Sequence, residues 1–154
     1  MFKKLLLSVA IMFALMTSIN AQSAFEKGSL GVNLGTTVGR GSFTYFNPDL
    51  LVTVEYGLFP VGKVGVISLG GYASSTFRGG IYPLFGFQAA FHLGILKTTK
   101  FDVYGGLRSF LYGYIDYYPD LFIGARYMFG RKVGIFLEAE GYRSNLKFGF
   151  SWIL

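Results

Sequence analysis

The chain has 154 residues, of which 52% are hydrophobic, 19% aromatic and only 14% charged. Soluble domains average about 25% charged residues, so a fully solvated surface is hard to build from this composition. With no cysteine and a single histidine, His92, the sequence excludes a disulfide framework, thiolate chemistry, an acylated lipoprotein cysteine and any multi-histidine metal site.

Met1-Phe2-Lys3-Lys4 is a basic start, followed by an apolar stretch from Leu5 to Met16 and then by Thr17-Ser18-Ile19-Asn20-Ala21. This is the three-part layout of a secretory signal peptide, and the apolar stretch is too short to span a membrane as a helix, which takes about 20 residues. Cleavage after Ala21 divides the chain into a signal peptide, 1–21, and a single domain, 22–154. The remaining side chains carry a net charge of +4. An exported protein meets little nucleic acid, so no nucleic-acid partner is expected.

Beyond residue 21 the hydrophobicity comes in segments of about ten residues with period two, set off by Gly, Pro, Asn, Asp and Lys. Eight strands are expected: 30–37, 50–59, 64–73, 84–93, 101–111, 121–129, 133–142 and 147–154. In the fourth, Phe85, Phe87, Ala89, Phe91 and Leu93 alternate with Gly86, Gln88, Ala90 and His92. In the sixth, Leu121, Ile123, Ala125, Tyr127 and Phe129 alternate with Phe122, Gly124, Arg126 and Met128. Over all eight, 33 of the 39 residues on the first face are apolar and none is charged; the second face holds 37 residues, nine of them glycine and seven charged.

A soluble lipocalin-like barrel turns its apolar face inward, whereas a membrane barrel turns it toward lipid. Eight strands enclose an interior just wide enough for side chains, and 33 apolar residues would overfill it. The Gly-rich second face suits a crowded lumen, and strands near ten residues match a tilted bilayer crossing. The expected fold is therefore all-β: an eight-stranded antiparallel up-and-down transmembrane β-barrel following a cleaved signal peptide. Short turns at 60–63, 94–100 and 130–132 are assigned to the periplasm, and the connections 38–49, 74–83, 112–120 and 143–146 to the outside. Aromatic residues gather at both strand ends, with Phe91, Phe101, Phe129 and Trp152 at one and Tyr112, Tyr114, Tyr117 and Tyr118 at the other, as at membrane interfaces.

The last residues, Lys147-Phe148-Gly149-Phe150-Ser151-Trp152-Ile153-Leu154, resemble the C-terminal assembly signal of outer-membrane barrels: polar Lys147, Gly149 two later, then Trp152 and Leu154 spaced by one. The usual final residue is Phe or Trp, so Leu154 departs from the pattern. Together with the signal peptide and the eight segments, the chain resembles small eight-stranded bacterial outer-membrane barrels of the OmpA/OmpX type. It is similar to the stand-alone "outer membrane protein beta-barrel domain" proteins of Bacteroidetes-like bacteria, in which a region such as Asn20-Ala21-Gln22 recurs. The resemblance implies a location in the bacterial outer membrane, contact with its lipids and recognition by the barrel-assembly machinery. Fold does not fix role.

No Gly-x-Ser-x-Gly, phosphate loop or metal-ligand spacing occurs, so neither cofactor nor metal is expected. His92 faces the lumen near the periplasmic end, away from the outer leaflet where lipid A-modifying barrels place their catalytic groups, and is read as a satisfied interior histidine rather than a catalytic one. The expectation is a non-enzyme with a filled lumen and a structural or surface-interaction role, its loop aromatics Phe43, Tyr45, Phe46, Phe77, Tyr117 and Tyr118 available to envelope partners. The alternatives are a small OmpW-like barrel carrying hydrophobic molecules and a soluble carrier. Glu55 and Asp102 project inward with Arg108, Arg126, Glu138, Glu140 and Lys147, and these last five are expected to form one connected network. A turn centred near Lys132 sets Arg126 opposite Glu138 and Gly124 opposite Glu140; a preceding loop centred near Asp116 or Tyr117 brings Arg108 beside Gly124.

Overall fold

The computed structural model describes residues 23–38, 49–76, 82–96, 98–111, 119–141 and 146–154. Eight strands form one closed antiparallel barrel in which each strand pairs with its neighbours in sequence and β1 pairs with β8. They are β1 Leu30–Val38, β2 Asp49–Val61, β3 Gly65–Thr76, β4 Tyr82–Leu93, β5 Phe101–Leu111, β6 Pro119–Met128, β7 Val133–Glu140 and β8 Leu146–Ile153. A 3-10 turn, Gly94–Leu96, follows β4. The expected strands are all present. On the side expected to face outward, β3 ends later and β4 and β6 begin earlier than expected, at Thr76, Tyr82 and Pro119. Residues 39–48, 77–81, 112–118 and 142–145, with the expected loop aromatics among them, lie outside the described residues, as does the expected signal peptide.

Burial follows the two-residue period directly: β6 and β7 alternate exposed and buried residues along their whole length. Leu121, Ile123, Phe129, Phe85 and Phe87 are all more than half exposed. Every described charged side chain within the strands is buried in the lumen, including Glu55, Asp102, Arg108, Asp120, Arg126, Glu138, Glu140 and Lys147. The apolar face therefore points out, as the lipid-facing reading requires. One local departure from strict alternation occurs in β2. The register with β3 shifts between Gly57 and Phe59, so Leu58 is an extra residue. Such a bulge re-aims the side chains beyond it: Gly57 is buried, and Phe59 is 58% exposed on the outer face instead of crowding the lumen.

Lumen glycines provide room for rings. Tyr104 faces Gly124 across β5–β6, and a Cβ built at Gly124 would lie 2.6 Å from Cζ of Tyr104. The Phe136 ring tip likewise occupies the space over Gly35. Gly124→Val is expected to destabilise the refolded barrel by about 1–3 kcal/mol through overpacking, read by urea unfolding. Tyr104→Ala in the same chain should recover part of that loss. A silent Gly124→Val would show that the ring does not lie there.

Candidate functional site

The lumen is layered from the mouth at which both described ends of the chain lie. Leu30 and Leu154 exchange backbone hydrogen bonds at that mouth, which also carries the turns after β2, β4 and β6. Just before β1, residues 23–29 fold back across it: Gly28 N–H donates to Gly57 O, and Gly57 N–H donates to Ser29 O. This clasp drops Phe25 into the barrel, 1% exposed, where it clusters with Val66, Met128 and Ile153. Gly28 adopts φ 89° in the clasp, a left-handed conformation suited to glycine. The apolar stopper closes the first layer.

The second layer is ionic. The Arg126 guanidinium bridges two carboxylates: Nη2 donates to Glu55 Oε1, and Nη1 donates to Asp102 Oδ2 at 2.7 Å. Its Nε donates to Asn33 Oδ1 at 3.2 Å, and Asn33 Nδ2 donates to Thr53 at 2.8 Å. His92, fully buried, sits between the same two acids, with Nδ1 3.0 Å from Asp102, and Nε2 3.0 Å from Ser68 Oγ and 3.3 Å from Glu55. Phe25 stacks on the imidazole at a centroid separation of 3.9 Å and 14° between planes.

A third, aromatic layer of Tyr104, Phe122 and Ala90 separates this cluster from a second one. There Arg108 Nη1 donates to Glu138 at 2.7 Å and Glu140 at 2.6 Å, while its Nε and Nη2 donate to Gln88 at 3.1 and 2.7 Å. Lys147 pairs with Glu140 and lies 3.7 Å from Glu138. Asp120, in register with Arg108, brings another buried carboxylate to this level. Leu51, Tyr72, Leu84 and Phe136 form a further apolar cluster. Aromatic faces cover the cations: the Arg108 Cζ lies 4.4 Å from the Phe122 centroid and 4.7 Å from that of Tyr72, and Arg126 lies 4.4 Å from Tyr104. Such contacts gain strength when the cation is desolvated.

The five expected network residues all face the lumen, but the connections differ from those expected. The β6–β7 register places Arg126 opposite Phe136, and Glu138 opposite Gly124, two residues away from the expected alignment. Arg126 therefore bonds Glu55 and Asp102, whereas Arg108, Lys147, Glu138 and Glu140 form the other cluster. Between the two clusters stands Tyr104, whose hydroxyl donates to Glu138 Oε2 at 3.5 Å.

A Ser68–His92–Asp102 chain was not anticipated from the sequence. Ser68 and Asp102 come from strands on either side of β4 and reach the ring from opposite edges. The connectivity is that of a nucleophile, base and orienting acid, but the proton arrangement differs. Nδ1 faces the Asp102 carboxylate, and Nε2 faces Ser68 Oγ, whose own proton goes to Glu55 Oε2 at 3.0 Å. Nε2 lies between Ser68 and Glu55 and Nδ1 against Asp102, so a ring protonated at both nitrogens has an acceptor at each, and in that form no lone pair faces the serine. With His92 as an imidazolium, two cations match the two carboxylates of this layer. Among the described residues, no group of His, Asp and Glu is placed to hold a metal ion.

No protein family matches this sequence, and no curated protein is detectably similar to it. Solved structures do share its shape. A de novo designed transmembrane β-barrel is 13% identical, covering 84% of this chain and 98% of its own at a TM-score of 0.58. The Yersinia pestis outer membrane protein Ail, solved in a phospholipid bilayer nanodisc, is also 13% identical, covering 83% of this chain and all of its own at a TM-score of 0.50. The chain thus has the fold of small eight-stranded transmembrane barrels.

Two measurements check this lumen. In a double-mutant cycle, Arg108→Ala and Glu138→Ala are expected to couple by about 0.5–3 kcal/mol, and Arg126→Ala and Glu138→Ala to be nearly additive. Strong coupling in the second pair would restore the other register. Because His92 is the sole histidine, nitrogen NMR of histidine-labelled protein reports one ring, expected to be protonated at both nitrogens at neutral pH. A bare Nε2 together with labelling of Ser68 by a fluorophosphonate would instead assign a nucleophile.

Proposed function

We propose that this chain is an exported, integral outer-membrane barrel with a self-filled lumen and a structural or surface-interaction role in the bacterial envelope, not an enzyme. The observation that carries this reading is the division of its two faces. Exposed Leu, Ile, Val and Phe cover the outside of every strand, and the described strand charges lie inside with ionic or hydrogen-bonding partners. Water cannot solvate such an exterior favourably, and a bilayer core can. The two ionic layers and the Phe25 stopper stand in series across the lumen, which supports a sealed barrel over a conduit for hydrophobic cargo.

The basic start and apolar stretch of residues 1–21 support export. The C-terminal pattern of Lys147, Gly149, Trp152 and Leu154 supports recognition by the barrel-assembly machinery during insertion. Leu154 is 61% exposed, and Trp152 shares its outward face.

Full-length protein made in a Gram-negative host is expected to lose residues 1–21, to fractionate with the outer membrane and to resist high-salt extraction. The purified barrel is expected to show no steady conductance in planar bilayers. Recovery from the soluble periplasm would overturn the membrane reading; sustained conductance would overturn the sealed lumen. Replacing Trp152 and Leu154 together by Asp is expected to abolish insertion, and normal membrane levels of that variant would remove the assembly role.

A further inference from the structure

The mouth carrying the chain ends is strongly cationic, and its cations have a particular position. Lys63 occupies the turn after β2, Lys100 precedes β5, Arg131 and Lys132 form the turn after β6, and Lys27 lies in the N-terminal clasp; all five side chains are exposed. The one acidic side chain among the described residues of these turns is Glu26. Each cation of the three turns stands next to the end of the apolar belt. Lys63 adjoins Val64, Lys100 adjoins Phe101, and Arg131 and Lys132 lie between Phe129 and Val133, four neighbours that are 42–62% exposed.

Aromatic rings mark the same level. Tyr127 packs between Phe101 and Phe129 at 5.0 and 5.7 Å, and Trp152 sits beside Phe150 on β8. Rings of this kind settle at the boundary between acyl chains and headgroups. Side chains one or two residues beyond them then reach the phosphate level. Four cations spread over three turns surround this mouth at headgroup depth, where each contributes attraction to an anionic surface.

We infer that this rim is a binding surface for anionic phospholipid headgroups of the leaflet on the chain-end side, and that it enriches those lipids around the barrel. The inference rests on the membrane reading given above. The recognition chemistry is ammonium and guanidinium against lipid phosphate, with apolar neighbours anchoring the acyl chains directly above.

Trp152 is the only tryptophan in the chain and makes a natural probe. It faces Val133 across β7–β8, and the N–H of the next residue, Ile153, donates to Lys132 O at 2.9 Å, which places it beside the rim. The protein is refolded into vesicles of equimolar phosphatidylcholine and phosphatidylglycerol, with brominated acyl chains on one lipid or the other. Brominated phosphatidylglycerol is expected to quench Trp152 more strongly, with a relative association of about threefold. The preference should shrink as NaCl rises to about 0.5 M, because the interaction is screened. It should vanish in the Lys63→Gln, Lys100→Gln, Arg131→Gln, Lys132→Gln variant. Equal quenching by the two lipids in the unmutated protein, or a preference that survives both salt and the four substitutions, overturns the inference and leaves the rim to a soluble anionic partner. Quenching by neither lipid would overturn the membrane reading itself, so the two failures are distinguishable. The salt titration needs no variant and decides the matter even if the fourfold substitution impairs refolding.

Discussion

Closing eight strands into a cylinder that faces lipid leaves charged side chains only one place to go, the lumen, and there each must find a partner. A lone buried charge is costly, and removing one member of a buried pair costs on the order of 3–5 kcal/mol. The arrangement of the lumen follows from this constraint. Arg126 is shared by Glu55 and Asp102, and Arg108 by Glu138 and Glu140. The planar guanidinium suits both positions because it presents several donors at fixed angles: Arg126 joins carboxylates on β2 and β5, and Arg108 joins Gln88 of β4 to the two glutamates of β7. These bonds cross the barrel: Arg126 on β6 reaches Glu55 on β2, and Arg108 on β5 reaches Glu140 on β7. They hold non-adjacent strands at fixed separations in a way that the backbone ladder, which connects only neighbours, does not.

Space is the second requirement. A lumen of this width holds long charged side chains and aromatic rings only if other positions hold almost nothing. The glycines at 35 and 124 meet that need, with Phe136 and Tyr104 lying over them. Tyr104 in turn covers Arg126, and Tyr72 and Phe122 cover Arg108, so a guanidinium removed from water is bounded by π-faces above and carboxylates at its edge. The bulge at Leu58 serves the same economy, because it turns Phe59 outward at a level where Phe25 already fills the mouth.

Strand number, strand positions and the inward face were legible because a barrel in lipid writes its geometry as a strict two-residue alternation. Register was not. Shifting a hairpin by two residues keeps every side chain on its own face, so the alternation cannot distinguish pairings that differ by two. The turn after β6 is centred one residue earlier than Lys132, and that shift exchanges Glu138 for Phe136 opposite Arg126. Arg126 then takes Asp102 and Glu55, the second of which lies across the lumen and carries no signal in local sequence. The His92 cluster was hidden for the same reason: Ser68 and Glu55 meet the ring only once the β2–β3 and β3–β4 registers are set. Ser68, His92 and Asp102 do all occupy inward positions toward the same ends of β3, β4 and β5, and that shared depth was the available signal. Phe25 lies outside any strand, where periodicity is silent.

The lumen also explains the charge on the outside. The expected mature chain carries eight acidic side chains, and five of them, Glu55, Asp102, Asp120, Glu138 and Glu140, are buried in the barrel against Arg108, Arg126, Lys147 and His92. Acids are thus withdrawn from the surface in greater number than lysines and arginines. Among the described residues, lysines and arginines therefore outnumber acids outside the lumen, and that excess gathers at the chain-end mouth. Nothing in the backbone demands lysine or arginine at Lys63, Lys100, Arg131 or Lys132; a turn between strands is satisfied by Gly, Asn or Asp, and acids at some of these places would have balanced the rim. An unbalanced ring of cations at the edge of an apolar belt repels itself unless counter-charge is near. The surface that meets the ring at that depth is the headgroup layer, whose phosphates supply the counter-charge that the described turns do not.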